Sequence, residues 1–479
     1  MEAVTKRQTV GTVLLCIGLF AGCYSPASSQ PCENGTLCEN GQVCVDGVCG
    51  GALVDAPTAD GAIDSCAATC VNDELRGCGQ PQVCDLGCAA GPIARCNDLL
   101  PSNNVSDWNL ADGTLPLMVA DILRFDTNTG EITLVGSSNG PSIRKAGQGI
   151  KDGIYFGLMV AGSGPATAIF AMRDLTVPQN TEIRLVGDNP VVLLLDGNAV
   201  VDGVIDASAH LELAHLAGPG GGLAGLVVGA PGVGCGGGGF GTSEGTADGG
   251  GGGGGMRNSG GRGGDATGNS AVPNAGAAGA ACISADLQPL LGGSGGGAGG
   301  GGAGLDIFGF GGSGGGALQL SVHGTLTVSS NGIIVSSGGG GGGGRLNATT
   351  NGAGGGGGSG GGLLLEATRV VIVGGIFANG GGGGGASGQV GSARTAGTVG
   401  EKGARSTLAA AGGAAPLNSS GSNGGSGGTV ALPPPAPNAS FNGGGGGGSA
   451  GRIVIRGGQR DLSLATLSPA ATQLPAMTQ

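Results

Sequence analysis

Apolar residues in this chain come in short, β-branched runs that alternate with polar ones. Ile132-Thr133-Leu134-Val135, Ile154-Tyr155-Phe156, Ala168-Ile169-Phe170, Leu175-Thr176-Val177, Ile183-Arg184-Leu185 and residues 191–195 are each of strand length. Turn-forming groups such as Asn128-Thr129-Gly130, Pro178-Gln179-Asn180 and Gly187-Asp188-Asn189-Pro190 separate them. Between Leu175 and Ile205 a strand begins about every eight to ten residues with no helical period between, the spacing of a repetitive all-β body.

The pattern then repeats itself. Gly316-Ala317-Leu318-Gln319-Leu320 returns as Gly361-Gly362-Leu363-Leu364-Leu365, and a β-branched run follows each, at residues 325–328 and 370–373. Next come Gly332-Ile333-Ile334-Val335-Ser336-Ser337-Gly338 and Gly374-Gly375-Ile376-Phe377-Ala378-Asn379-Gly380. A third copy of this phrase lies upstream at Gly203-Val204-Ile205-Asp206-Ala207-Ser208-Ala209, and another opening strand lies downstream at Gly451-Arg452-Ile453-Val454-Ile455. Copies separated by inserts of unequal length suit a parallel β-helix, in which each strand pairs with those above and below while loops leave from the corners.

The inserts, at about residues 217–315, 338–362 and 380–451, hold unbroken glycine runs at 249–255, 338–344, 380–385 and 443–448. With Gly 117 and Pro 22 among 479 residues, more than a quarter of the chain falls in the composition range of disordered sequences. A mean hydropathy of +0.21 and the interleaved aliphatic strands argue against disorder throughout. Glycine costs about 0.5–1 kcal/mol more than alanine to order, so contacts must supply any order in the runs. Two states fit: a threefold extended helix whose bare backbones hydrogen-bond to neighbours, or solvated loops. The runs resemble the polyglycine-II bundles of some phage adhesin tips and arthropod antifreeze proteins. The glycine-rich half also resembles, in composition, the PGRS regions of mycobacterial surface proteins.

Lys6 and Arg7 followed by an apolar stretch from Val10 to Phe20 form an export signal over residues 1–22, too short to span a bilayer. Leu19-Phe20-Ala21-Gly22-Cys23 resembles the bacterial lipoprotein processing box. That resemblance implies lipidation at Cys23, a lipid-anchored tether over 23–31, a membrane partner and, with Tyr24 next, the outer membrane. Twelve further cysteines outside the signal sort into even clusters, as disulfides in an oxidising compartment would. Cys32, Cys38, Cys44 and Cys49 punctuate Asn34-Gly35, Asn40-Gly41 and Asp46-Gly47, a small stack of tight turns. This 32–49 module resembles the Cys-Xaa-Asn-Gly modules behind lipoprotein boxes in Gram-negative envelope proteins. After a 50–65 linker, Cys66, Cys70 and Cys78 recur with the same spacing as Cys84, Cys88 and Cys96, delimiting a second module at 66–96. Cys235 and Cys282 fall inside the first insert. A bridge there would stabilise the closed loop by about 2–4 kcal/mol. The β-helical body is expected over 97–460, with 461–479 as its cap and tail.

With 20 basic and 32 acidic residues the net charge is −12 and there is no basic stripe, which disfavours nucleic acid as a partner. His210, His215 and His323 stand at no ligand spacing and read as loop histidines. Asp196, Asp202 and Asp206 suggest the acidic face of a polysaccharide lyase or hydrolase. The local alternation turns Asp202 and Asp206 outward, which fits a solvated acidic face better than a shared cleft. Ser138 sits in a Gly-x-Ser-x-Gly match without the strand–helix context of a hydrolase elbow. Residues 301–309 fit one calcium nonapeptide with Asp306 as the candidate ligand, but the flanking nonads lack the pattern. The chain is thus expected to be an exported, lipid-anchored, non-enzymatic envelope protein without cofactor. Its expected role is structural or adhesive toward a surface polysaccharide or protein; an exported polysaccharide-cleaving enzyme is the alternative.

Overall fold

In a computed structural model of the chain, the described residues are 68–479 together with the backbone of short strands between 30 and 50. Short segments within the larger part are excepted, at 78–79, 92, 106–107, 109–112, 116–121, 136–141, 161–165, 211–215, 245–246, 267–273, 283, 302–306, 418, 420 and 430–440. The chain divides by contact after Cys66. In the first unit Val43–Val45 pairs antiparallel with Val48–Gly50, setting Cys44 opposite Cys49 and leaving two residues, Asp46 and Gly47, between the strands.

The second unit is all-β, built on two largely parallel sheets. Seven strands form one, in the order Ile132–Leu134, Ile122–Asp126, Glu182–Val186, Val204–Asp206, Ile333–Val335, Gly375–Phe377, Thr466–Ser468. The other has ten; along its main path Thr167–Met172, Val191–Leu195, Ala317–Val328, Gly362–Ile372, Arg452–Asp461 and Thr472–Leu474 lie side by side. After Val191–Leu195 the chain forms Ala199–Val201, then Val204–Asp206, and returns through the first insert to Ala317 beside the strand it left. Each circuit adds a strand to both sheets. Ala317–Val328 spans two legs of its circuit, with a register shift between Val322 and Thr325 relative to its neighbour.

The register explains the repeated phrases. Leu123, Ile183, Ile205, Ile334 and Ile376 stack strand upon strand at one level of the smaller sheet, all fully buried. Val191, Leu318, Leu363 and Ile453 form a column in the larger sheet, as do Leu193, Leu320, Leu365 and Ile455. Val177, Val201, Val328 and Ile372 form a third set, and all of these belong to one core. Burying such a side chain contributes about 1.5–3 kcal/mol, so one apolar column holds several strands together at once.

Parallel strands must be covered on both faces. The outer row Ile169, Val192, Leu364 and Val454 is buried with Leu99, Val105, Trp108, Met256, Leu287 and Leu290 in a second core. Glu366 is fully buried on the same face. It accepts from Ser102 N at 2.8 Å, Ser321 Oγ at 2.6 Å and Gln319 Nε2 at 2.9 Å. Burial pushes its carboxyl above the usual range while the serine bonds oppose that rise. Toward the C-terminal end Thr466–Ser468 and Thr472–Leu474 extend the two sheets, and Leu100 N donates to Met477 O.

In the described parts of the inserts, hydrogen bonds join segments far apart in sequence, such as Gly251 N to Gly354 O and Gly354 N to Gly443 O. Serines close this network where its register ends. Ser449 Oγ accepts from Met256 N, Ser294 Oγ from Gly236 N, and Ser422 Oγ from Gly444 N, all between 2.6 and 2.9 Å.

Candidate functional site

The glycine network has a centre and edges. Successive residues 250, 251 and 252 donate to Gly264, Gly354 and Gly239, and residues 253, 254 and 255 then donate to Gly261, Gly357 and Gly236, all at 2.8–2.9 Å. The donor direction therefore returns every three residues. The carbonyls do the same in three further directions: Gly250 and Gly253 accept from Gly276 and Gly279, Gly251 and Gly254 from Gly446 and Ser449, Gly249 and Gly252 from Gly300 and Gly297. One segment thus has six neighbours, and its backbone groups are paired without any sheet.

Six neighbours leave no room for side chains. A methyl group on Gly250 would run into Gly444 O, on Gly251 into Gly297 O, on Gly252 into Ala277 O and on Gly253 into Gly447 O. The long runs at 338–344, 380–385 and 443–448 meet neighbours in the same way, Gly340 against Gly400, Gly383 against Gly445 and Gly446 against Gly261. At the edges glycine is needed only where the chain faces inward. In Gly397-Thr398-Val399-Gly400-Glu401-Lys402-Gly403 the three glycines face Gly385 O, Gly382 O and Asn379 O. Thr398, Val399 and Glu401 are exposed. Gly276 and Gly279 repeat the rule against Gly239 and Gly236. This local three-residue period was the available sequence signal for the edges, and the long runs mask it.

One edge is apolar and uncharged over a long stretch. From Leu216 to Ser243 the chain has no charged residue. Val227 is 64% exposed, Val233 57% and Leu223 45%, with Leu216, Leu226, Val228 and Phe240 also exposed. Val233 N donates to Leu223 O, which sets two legs of this edge side by side, and Cys235 lies at disulfide distance from Cys282, with Cα atoms 5.7 Å apart. Polar groups border it: a cleft of about 360 Å³ brings Arg124, Asp126 and Asp188 beside Leu216, Leu223 and Val233. Other edges carry charge at the Arg262–Asp265 pair and the Glu401-Lys402 stretch, while residues 406–451 are also uncharged.

The expected acidic face is corrected by the third insert. Asp206 is only 2% exposed, because Arg405 Nη2 reaches its Oδ2 at 2.7 Å, Lys402 Nζ stands 3.7 Å away, and Ser208 N donates to its Oδ1 at 2.7 Å. Burial alone would raise this carboxyl, but the two cations and Ser208 bring it down to about 2. Burial in turn lowers Lys402 from the usual amine range. Asp206 does turn away from the aliphatic core, as the alternation implies, yet the insert covers it. Asp202 is half-buried.

His323 is likewise no free loop histidine. Its Nε2 lies 2.6 Å from Asp98 Oδ1, its Nδ1 lies 3.1 Å from Asp196 Oδ1, and its ring stacks on Trp108 with centroids 5.0 Å apart. Desolvation lowers its pKa, the two carboxylates outweigh that, and the net shift is upward. It borders a cleft of about 660 Å³ lined also by Asp85, Arg95, Asn97 and Thr368. Sequence could not pair it with Asp98, since 225 positions separate them. His210 is half-buried, its Nε2 has no hydrogen-bond partner among the described residues, and burial lowers its pKa.

Cys70 lies at disulfide distance from Cys88 and Cys84 from Cys96, with Cα separations of 5.8 and 5.2 Å. Cys23, Cys32, Cys66, Cys78, Ser138, His215 and Asp306 lie outside the described residues, and Cys38, Cys44 and Cys49 are described by backbone alone. Among the described residues no cluster of three or more His, Cys, Asp or Glu side chains is arranged to hold a metal, and no helix is long and apolar enough to cross a membrane. Comparison with protein-family models, curated proteins and solved structures returns no match for this chain.

Proposed function

We propose that this chain is a non-enzymatic, exported structural or adhesive protein: a parallel β-helix that holds out a polyglycine-II lattice, tethered to the outer membrane through lipid on Cys23. The circuit-by-circuit pairing of strands supports the β-helix reading, and the threefold return of hydrogen-bond direction supports polyglycine-II. The signal and processing box in residues 1–23 support export and the lipid anchor.

The observation that carries the functional reading is the lattice itself. A block of backbone with six-way hydrogen bonding and side chains confined to its outer faces is suited to rigid display, and it presents an uncharged apolar edge. The polysaccharide-cleaving alternative needs a free carboxylate opposite a second one in a cleft. Asp206 is instead covered and paired with Arg405.

Deleting the gene tests this reading. Attachment or cell–cell aggregation is expected to fall, with restoration by the wild-type chain. Unchanged behaviour across many surfaces, or degradation of uronate polymers by the purified protein with loss in Asp206→Ala, would overturn it.

A further inference from the structure

We propose that the uncharged edge formed by residues 216–243 is the contact through which two copies of this chain join side by side. This rests on the reading of the glycine block as a displayed structural face, and it names the partner of that face.

Three observations point to a second copy. First, the edge is unfinished as a lattice. Inside, each segment has neighbours in six directions. Along this edge the N–H groups of Leu223 and Leu226, three residues apart, have no hydrogen-bond partner among the described residues, and neither do those of Gly234, Gly237 and Phe240, again three apart. Such groups are held in the direction a further threefold segment would occupy, much as the edge of a β-sheet presents a template for another strand. A partner must offer an extended backbone of the same period, and a second copy's edge does.

Second, the pairing geometry already occurs within the molecule. Gly250 and Gly253 donate to Gly264 and Gly261, an antiparallel neighbour, whereas Gly251 and Gly254 donate to Gly354 and Gly357, a parallel one. Two identical edges related by a twofold axis meet antiparallel, which this packing accommodates. The contact is then the same patch on both copies and closes as a dimer.

Third, the edge brings no like charges together. The stretch from Leu216 to Ser243 carries no charged residue in a chain of net charge −12, so two copies can meet along it without charge repulsion at the contact. Leu226, Val227, Val228 and Val233 supply an apolar centre, with Arg124, Asp126 and Asp188 at the border, the arrangement of a protein interface core and rim.

The test is sedimentation velocity of the purified full chain over a roughly hundredfold concentration range, alongside the double variant Leu226→Lys, Val227→Lys and the separate variant Phe240→Lys. Wild type is expected to shift from monomer to dimer with rising concentration. The double variant should be monomeric throughout or at least tenfold weaker. Phe240→Lys should weaken association by a smaller factor. All these side chains are exposed, so the melting temperature should not move, and an unchanged melt separates lost contact from lost fold. A wild-type chain that stays monomeric, or lysine variants that dimerise as tightly as wild type, would overturn the proposal. A monomeric wild type that still changes cell attachment would overturn the self-contact while leaving the structural or adhesive role standing. A dimer without any attachment or aggregation effect would do the reverse.

Discussion

The β-body and the glycine lattice solve the same problem in opposite ways. In the body, columns such as Leu193, Leu320, Leu365 and Ile455 supply cohesion through side-chain volume, and each backbone pairs with two neighbours in a sheet. In the lattice, cohesion comes from the backbone, each central segment pairs with six neighbours, and the absence of side chains is the requirement. Removing atoms should damage the first region and adding atoms should damage the second.

The largest expected effect is in the body. Leu320→Ala, at a fully buried position, should destabilise by about 2–5 kcal/mol in denaturant unfolding. A loss below about 1 kcal/mol would mean that the columns do not hold the sheets together.

In the lattice the small-to-large change should hurt. Gly252→Ala places a methyl against Ala277 O and should cost about 1–3 kcal/mol, whereas Val399→Ala, on an exposed edge position, should stay within about 0.5 kcal/mol. Equal effects at the two sites would remove the distinction between centre and edge.

The junction between the two regions should be acid-sensitive. Asp206 is held at about 2 in the fold, below the ordinary carboxylate value, so its contribution is present above that ordinary value and is lost as pH falls from about 4 through about 2. Arg405→Met should cost about 1–3 kcal/mol near neutrality, less than for a fully buried pair because Arg405 is 38% exposed. It should also flatten the acid limb of a stability–pH curve, and an unflattened limb would assign the acid sensitivity elsewhere.

The smallest effect concerns the His323 clasp. Its pKa is raised, so its stabilisation is full below about 6.5, the unfolded value, and fades as pH rises through the folded one. Trp108 is the only tryptophan and stacks on this ring. Its fluorescence should titrate with a midpoint above about 6.5, and His323→Gln should abolish the transition. A midpoint at or below that value would contradict the clasp.

Those effects mirror what sequence did and did not reveal. The body was legible because repeated apolar phrases encode register: Ile205, Ile334 and Ile376 match in sequence and stack in space. The lattice was legible only as runs. Glycine carries no side chain to mark a partner, so nothing in residues 249–255 names residues 354–357 or 443–449 as neighbours, and the ordered and solvated alternatives stayed level. Asp206 was misread because alternation reports which side of a strand a residue takes, and says nothing of Arg405 arriving from 199 positions away. His323 was misread for the same reason, since Asp196 and Asp98 come from segments 127 and 225 positions away.

Residue-resolved hydrogen exchange of the glycine amides at 249–255 tests the central claim most directly. If the six-way pairing holds, these amides should exchange as slowly as those of the body strands Val191–Leu195 and Gly362–Ile372. Exchange at the rate of an unstructured chain, while the body strands remain protected, would contradict it.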